Sequence, residues 1–514
     1  MAQMNRRLAL GLLAGAATTA AAVGASRIYG WPQIDAQWHQ ATENDLAGED
    51  WWPKNGPPDA DDEHRQIQGY ASSTSINLGE SLDFHVSVNP TGSYKITIYR
   101  LGWYGGAGAR RMLTSPDLQG ANQPLPPTNP DNGLIACDWP ASWSLQVPND
   151  WTSGLYQAVF TSADGWRSCT PFVVRDDQAT SALCVALPVT TWQAYNQWPL
   201  DGRNGTSLYN GYKADGGMTS DLRATQVSFD RPYSNNGMPS RFDDEIDAIQ
   251  WLERSDYDIT YATSLDLHSG RLDPKRFRGI VFCGHDEYWT TEMRQAADQA
   301  VAGGTSLVVF SANSLYWRIL LEEADGRPAK RNFSCTKVRP EPGAATNDAT
   351  CRWRDLDAPE AALLGVQYNG IVHTQVPLVV QQSDHWIWAG SGVSDGDQIP
   401  KVVGGEADGL FPDITLPSDT VAATLSASPY QDRQGTSRIQ NTHVYEKANG
   451  AVVFAAGSLH WTRALNRPGW KDERITTATE NLLNRIIAGP STKATDPDLG
   501  PTTTERSRDP EPTP

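Results

Sequence analysis

The hydrophobic period of the chain changes once, near Arg175, and this change constrains the fold more than any other feature. Before it, apolar and polar residues alternate. "SLDFHVSV" (81–88) places Leu82, Phe84 and Val86 at every second position, and "YKITIYRL" (94–101) does the same with Tyr94, Ile96 and Ile98. Period two marks strands with one buried and one wetted face. "WSLQV" (143–147), "GLYQAVF" (154–160) and "CTPFVVR" (169–175) continue the series between turn residues. Short antiparallel strands with Gly/Pro turns predict an immunoglobulin-like β-sandwich over 66–175.

After Arg175 the apolar runs become continuous. "ALCVALPV" (182–189), "DITYATS" (258–264), "GIVFCG" (279–284), "TSLVVFSAN" (305–313) and "GAVVFAAGS" (450–458) read as strands covered on both faces. Helical patterns separate them. "FDDEIDAIQWLERS" (242–255) puts Phe242, Ile246, Ile249 and Leu252 on one face. "TTEMRQAADQAVAGG" (290–304) starts at a capping Thr290 and ends at Gly303-Gly304, and "DERITTATENLLNRIIAG" (472–489) forms a last helix. Strands alternating with helices predict a doubly wound, mostly parallel α/β domain over 176–490, with an insertion around 320–450. The chain's 514 residues exceed what one hydrophobic core serves, in line with two domains.

The ends read differently. Arg6 and Arg7 precede an uncharged run from Leu8 to Ala25, closed by the small residues Val23, Gly24 and Ala25. This is the pattern of an export signal over 1–25, of twin-arginine type, or else of a retained anchor. An exported, extracytoplasmic protein follows, and no later segment is apolar enough to span a bilayer. Residues 26–65 form a Trp/Pro-rich lead-in, and 491–514 a disordered tail. In this compartment six cysteines permit disulfides. Cys335 with Cys351, and Cys137 with Cys169, are the expected pairs. Cys184 and Cys283 sit in apolar strands as inert core residues, and no Cys/His spacing suits zinc. A formal charge of −18 argues against a nucleic-acid partner. Nineteen tryptophans suit either packing or the grip of a sugar.

In an open parallel sheet, ligands bind beyond the carboxyl ends of the strands. The predicted strands end in Trp192, Tyr195 and Asn196; in Asp266 and His268; in His285–Trp289; in Asn313, Tyr316 and Trp317; and in His460 and Trp461. These groups predict one polar and aromatic rim. His285 beside Asp286 and Glu287 suits proton transfer. The rival for that hinge is a plain helix start, whose acids favour the dipole. Cys283 lacks the glycine-flanked elbow of a nucleophile.

Several stretches together resemble a known family. They are "YRLGWYGG" (99–106), "VPNDWTSGLYQAVF" (147–160), "SDYDITYATSLDLH" (255–268) and "FRGIVFCGHDEYWTTEMRQAADQAVAGGTSLVVFSANSLYWRI" (277–319). Across roughly 66–490 the chain resembles the large (beta) subunits of N,N-dimethylformamidase. The resemblance implies a β-sandwich followed by a class I glutamine-amidotransferase-like α/β domain. It implies hydrolysis of a small linear amide to an amine and formate, with one iron held by two tyrosines and a glutamate. Carried over, Tyr288 of the "H-x-E-Y" loop is a metal ligand, with His285 and Glu287 beside it. Asp348 of "NDATCRWRD" (347–355) stands nearest the family's glutamate. The second tyrosine has no assigned position, and Phe242 stands where one would help. "FSANS" (310–314), at the amidotransferase elbow, has no cysteine.

The resulting expectation is an exported carbon–nitrogen hydrolase with iron near Tyr288. His285, Glu287 or His268 would move protons, and Asn313 would donate to the developing oxyanion. Trp192, Tyr195, Tyr316, Trp317 and His460 would bind substrate. Its partner would be a small-molecule amide or an envelope component, with an oligomer or a small partner subunit open. The alternatives are a non-catalytic cell-envelope protein that binds glycan at the same rim, and a metal-free hydrolase.

Overall fold

In the computed structural model, residues 39–322 and 331–489 are described. The predicted signal at 1–25, the first part of the lead-in and the tail at 491–514 lie outside the described residues. The alternating segments form β1 (Ile67–Ala71), β2 (Ser75–Asn77), β3 (Ser81–Val88), β4 (Gly92–Leu101), β5 (Ala109–Thr114), β6 (Leu118–Gly120), β7 (Trp143–Gln146), β8 (Gly154–Ser162) and β9 (Arg167–Arg175). Two sheets result. One has the order β1-β3-β7; the other runs β2-β9-β8-β4-β5, with β6 on β4. Leu82, Phe84 and Val86 of β3 share one core with Ile96 and Ile98 of β4, Phe160 of β8 and Phe172 of β9. Phe84 packs edge-on against both Phe160 and Phe172. Each such buried side chain stabilises the sandwich by roughly 1.5–3 kcal/mol.

The continuous apolar runs form β10 (Leu183–Leu187), β11 (Ile259–Thr263), β12 (Gly279–Cys283) and β13 (Ser306–Phe310), all fully buried. Later come β14 (Thr420–Thr424), β15 (His443–Lys447) and β16 (Val452–Ala455). One sheet has the order β11-β10-β12-β13-β16-β15-β14. Its first five strands are parallel, and β15 and β14 are antiparallel. β14 and β15 fall inside the predicted insertion but belong to this sheet, with β14 at its edge.

Both faces are covered, as the runs require. Leu183, Val185 and Leu187 of β10 face one core, while Cys184 and Ala186 face another. Helices α1 (Val189–Tyr195), α2 (Phe242–Arg254), α5 (Trp461–Asn466) and α6 (Glu473–Ala488) pack into the first; α3 (Ser264–Ser269) and α4 (Thr291–Ala302) pack into the second. Thr290 caps α4 as expected, its Oγ1 accepting the Met293 amide at 3.2 Å.

A buried ion pair joins the two halves. Arg100 of β4 donates to Glu253 of α2 at 2.7 and 2.9 Å, and both side chains are fully buried. Asn44 of the lead-in and Tyr261 of β11 also donate to Glu253, each at 2.8 Å.

None of the six cysteines forms a disulfide in the structure, and all six are buried. Contrary to the expected pairs, the Cys169 thiol points at the Asn236 carbonyl, 3.2 Å away, and the Cys335 thiol at those of Arg318 and Thr350. Among the described residues no helix is long and apolar enough to cross a membrane.

Candidate active site

After β10 the chain returns to one side, as β11; after β12 it moves to the other, as β13. The reversal opens a crevice at the carboxyl ends of β10 and β12, where doubly wound sheets bind ligands. The segment after β10 brings Tyr195, and that after β12 brings His285–Trp289. Gly284 makes the turn possible. Its φ is +80°, and a Cβ there would lie 2.1 Å from Glu245 Oε1. Only glycine fits both constraints.

The crevice centres on Glu287. Its Oε2 accepts hydrogen bonds from the Tyr195 hydroxyl at 2.8 Å and the Tyr209 hydroxyl at 2.5 Å. Its Oε1 lies 3.2 Å from Asn313 Nδ2, which also donates to Glu406 Oε2 at 2.8 Å. His285 Nε2 bridges the acids, 3.3 Å from Glu287 and 3.5 Å from Glu406. Lys337 Nζ stands 3.6 Å over the Tyr209 ring and 5.4 Å from that of Tyr288.

The supports are as specific as the cluster. Thr191 Oγ1 accepts the backbone amides of Glu287 and Tyr288 at 2.9 and 3.2 Å. Asn313 sits just beyond β13 with left-handed backbone, φ +54°. Its amide donates to Asp408 Oδ1 at 2.8 Å.

The electrostatics separate the two glutamates. Burial opposes ionisation of Glu287, but the hydrogen bond and charge of His285, with Lys337 and Tyr209, hold its carboxyl below the usual range. Burial and the Glu287 charge, outweighing His285, push the Glu406 carboxyl up. These surroundings favour the ionised form of Glu287 and oppose that of Glu406. Burial works against a charged His285, yet Glu406 and Glu287 raise its pKa. Burial, then Glu287, drives Tyr195 and Tyr209 well above the ordinary phenol range. Burial lowers Lys337, and it lifts both Asp286 and Asp408 to about 7.

Residues 95–474 match the family described as N,N-dimethylformamidase beta subunit-like, C-terminal. The chain belongs to this family. The N,N-dimethylformamidase beta subunit of Alcaligenes sp is 23% identical over 425 residues, covering 69% of this chain and 55% of the relative. That of Paracoccus aminophilus is 22% identical over 321 residues, covering 55% of this chain and 42% of the relative. The chain thus spans about half the length of the curated relatives it matches. Among solved structures, a superoxide reductase of Ignicoccus hospitalis aligns with 21% of this chain and 80% of its own, at 11% identity and a TM-score of 0.13. A cycloisomaltooligosaccharide glucanotransferase of Paenibacillus sp. aligns with 63% of this chain and 62% of its own, at 8% identity and 0.17. Neither likeness is close enough to carry an argument.

Within this family member, the crevice gathers His285, Glu287, Asn313 and Tyr195 from the expected residues. Tyr288 lies beside them, fully buried, with the Tyr209 ring edge-on at 6.3 Å. Of the other expected residues, Tyr316 and Trp317 border the hinge, and the rest lie outside the cluster. Asp348 is exposed on a turn-rich loop, and no described contact joins it to Tyr288. His268 meets Thr290 Oγ1 at 2.9 Å and Glu292 at 3.4 Å, at the start of α4. His460 packs edge-on against Trp470, its centroid 5.1 Å away, and burial first of all drops its pKa to about 4. Trp192 is core; its Nε1 donates to Glu245 at 2.9 Å and its ring packs edge-on against Phe242. Tyr316 and Trp317 are half-buried beside the cluster: both backbone amides donate to the Glu287 carbonyl at 2.9 Å, and Lys337 Nζ stands 4.9 Å from the Trp317 ring. Cys283 is fully buried, and burial raises its thiol well above the usual range, so no thiolate nucleophile is available there.

Sequence reading missed Tyr209, Lys337, Glu406 and Asp408. Tyr209 and Lys337 lie in irregular segments, and Glu406 and Asp408 on a short strand, Glu406–Gly409. The glycine pair before Glu406, in "GGEADG" (404–409), is the one local signal among them.

Proposed function

We propose that this chain hydrolyses a small linear amide, as an N,N-dimethylformamidase-type enzyme, at the Glu287 crevice. One observation carries the reading: two tyrosine hydroxyls, of Tyr195 and Tyr209, converge on a single oxygen of the buried Glu287 carboxylate. Family resemblance implies iron held by two tyrosines and a glutamate, and these three side chains match that donor set in kind and number. Phenolate and carboxylate oxygens suit a hard cation. Tyr288, fully buried against the Tyr209 ring, is a further candidate oxygen beside them.

A bound metal would supply Lewis acidity, polarising the amide carbonyl or activating water. The chain's own groups do the rest. Asn313 Nδ2, already shared between two carboxylates, is placed to orient the carbonyl oxygen of the substrate. His285 Nε2, between Glu287 and Glu406, is placed to take a proton from the attacking water and return it to the leaving amine. Glu406, whose ionisation is opposed by burial and by Glu287, lies 3.5 Å from that imidazole. Lys337, above the Tyr209 ring, favours the phenolate form and the charge that develops beside it.

The finer fold assignment belongs to the same reading. Two facing sheets around one core support an immunoglobulin-like sandwich. Five parallel strands with helices on both faces support an amidotransferase-like domain. The Arg6-Arg7 pair and the uncharged run after it support export. The curated relatives are named as beta subunits, which supports a partner subunit.

The test is metal analysis and turnover of N,N-dimethylformamide by wild type, Tyr209→Phe and Glu287→Gln. Stoichiometric iron in wild type is expected. At least tenfold weaker metal retention is expected in both variants, with turnover reduced on the order of 10²–10³-fold. Protein that binds no metal and turns over no amide in any preparation ends the proposal.

A further inference from the structure

Next to the Glu287 cluster lies a small cavity. Its volume is about 10 Å³, and Thr191, Trp192, Tyr195, Ser240, Arg241 and His285 line it. That is room for one oxygen atom of water size. Ser240 and Arg241, at its mouth, are exposed.

Two features of this cavity are not explained by the Glu287 cluster. First, His285 is 4% exposed, and its Nδ1 has no hydrogen-bond partner among the described residues. Nε2 is the atom facing Glu287 and Glu406, so Nδ1 is the nitrogen left over. Second, Arg241 holds left-handed backbone, φ +64° and ψ 14°, just before α2. A non-glycine residue there costs roughly 1–3 kcal/mol, and such strain gathers at ligand sites. No described hydrogen bond or ion pair engages the Arg241 guanidinium. Its positive charge is nonetheless felt at both His285 and Glu406.

The acids at the start of α2 do not fill this role. Asp244 is occupied by Arg463 at 2.7 Å and Arg467 at 3.0 Å. Glu245 is fully buried; its Oε1 takes the Trp192 Nε1 hydrogen, and its Oε2, although it interacts electrostatically with His285, makes no described hydrogen bond to it. Asp243 is exposed. Arg241, with an unengaged guanidinium, and His285, with one unengaged ring nitrogen, therefore line the same small cavity.

We propose that Arg241 and the Nδ1 side of His285 form a subsite for a carboxylate. One carboxylate oxygen enters the cavity and accepts from Nδ1–H. The other stays at the mouth and pairs with the guanidinium, which matches a carboxylate in its planar, forked geometry. The identity of the ligand rests on the hydrolase reading, because hydrolysis of a linear amide releases a carboxylate. A carboxyl group borne by the substrate presents the same chemistry.

Calorimetric titration of the holoenzyme with sodium formate tests the subsite without turnover. Wild type should bind formate saturably, with equimolar chloride failing to compete. Arg241→Asn, in which asparagine tolerates left-handed backbone, should weaken binding at least tenfold. Ser240→Leu, which closes the mouth and leaves the charge, should do the same. Equal formate affinity in wild type and both variants overturns the subsite, as does no saturable binding to wild type. Kinetics then separate the two sources. Loss of formate inhibition in Arg241→Asn identifies the released product. A selective fall in kcat/KM for N-formylglycine over a neutral amide identifies a substrate carboxyl group. Formate binding that depends on Arg241, in a protein with no amide turnover, upholds the subsite and removes the hydrolase reading.

Discussion

Glu253 and Glu287 are the same residue type at nearly the same depth, 1% and 2% exposed, yet their surroundings are opposite. Glu253 meets a forked guanidinium, an amide and a phenol, so its charge is matched and its lone pairs are filled. Glu287 has no guanidinium. It meets two phenols, an amide, an imidazole and, through them, a second carboxylate. Phenols and imidazoles can give up a proton or change partner; an arginine does neither. One acid is held to join two halves of a fold. The other is held among groups that can exchange.

Three measurements can break or sharpen that contrast. The largest effect is expected from Glu253→Gln, which leaves Arg100 buried without its counter-charge. Urea unfolding should show a loss of about 3–5 kcal/mol. A loss below about 1 kcal/mol would mean that the junction is not an ion-pair lock.

Acidification comes next, through His443, which is buried with no acid among the groups that shift it. Burial drops its pKa to about 4, while an unfolded histidine titrates near 6.5. Below about pH 6.5 the unfolded chain therefore binds a proton that the folded chain refuses. Stability should rise with pH across this window and fall on acidification towards pH 4. His443→Gln should flatten the slope by about 1–2 kcal/mol between pH 7 and pH 5. His285 is shifted the other way by its acids, so a variant there should not flatten the slope. An unchanged slope in His443→Gln would show that burial alone does not set its protonation.

The smallest effect is expected from Glu287→Gln in metal-free protein, which removes one of two neighbouring buried carboxylates. Its unfolding free energy should stay within about 1 kcal/mol of wild type or rise, as at sites where function opposes stability. A loss as large as that of Glu253→Gln would make the two acids equivalent, and the contrast would fail.

Much of the scaffold was legible because its signals are local. Leu82, Phe84 and Val86 reveal their strand by spacing alone, and the covered strands reveal themselves by unbroken apolar runs. β14 was not legible: it is five residues long, and Val421 within it is 80% exposed. The hinge, Tyr195 and Asn313 were legible because each follows a readable strand. Tyr209, Lys337 and Glu406 were not, because only tertiary folding brings them to Glu287, from sequence separations no periodic pattern records. The motif also drew attention to Tyr288 as the tyrosine beside Glu287. In extended backbone, consecutive side chains point to opposite sides, and the hydroxyls on Glu287 come from Tyr195 and Tyr209 instead. Asp348 was matched by nearby text, but text does not record that its loop is exposed.

The Arg100–Glu253 pair also sets an order of events at the ribosome. Its two members are 153 residues apart in the chain. At a synthesis rate of about 5–20 residues per second, Arg100 emerges roughly 8–30 s before its partner. During that interval the sandwich can gather its aromatic core and seat Arg100 against Tyr104 and the Ser153 carbonyl, but it lacks the carboxylate that the finished fold sets against this guanidinium. The first half of the molecule is therefore born with an unpaid electrostatic debt, and it closes only when α2 arrives.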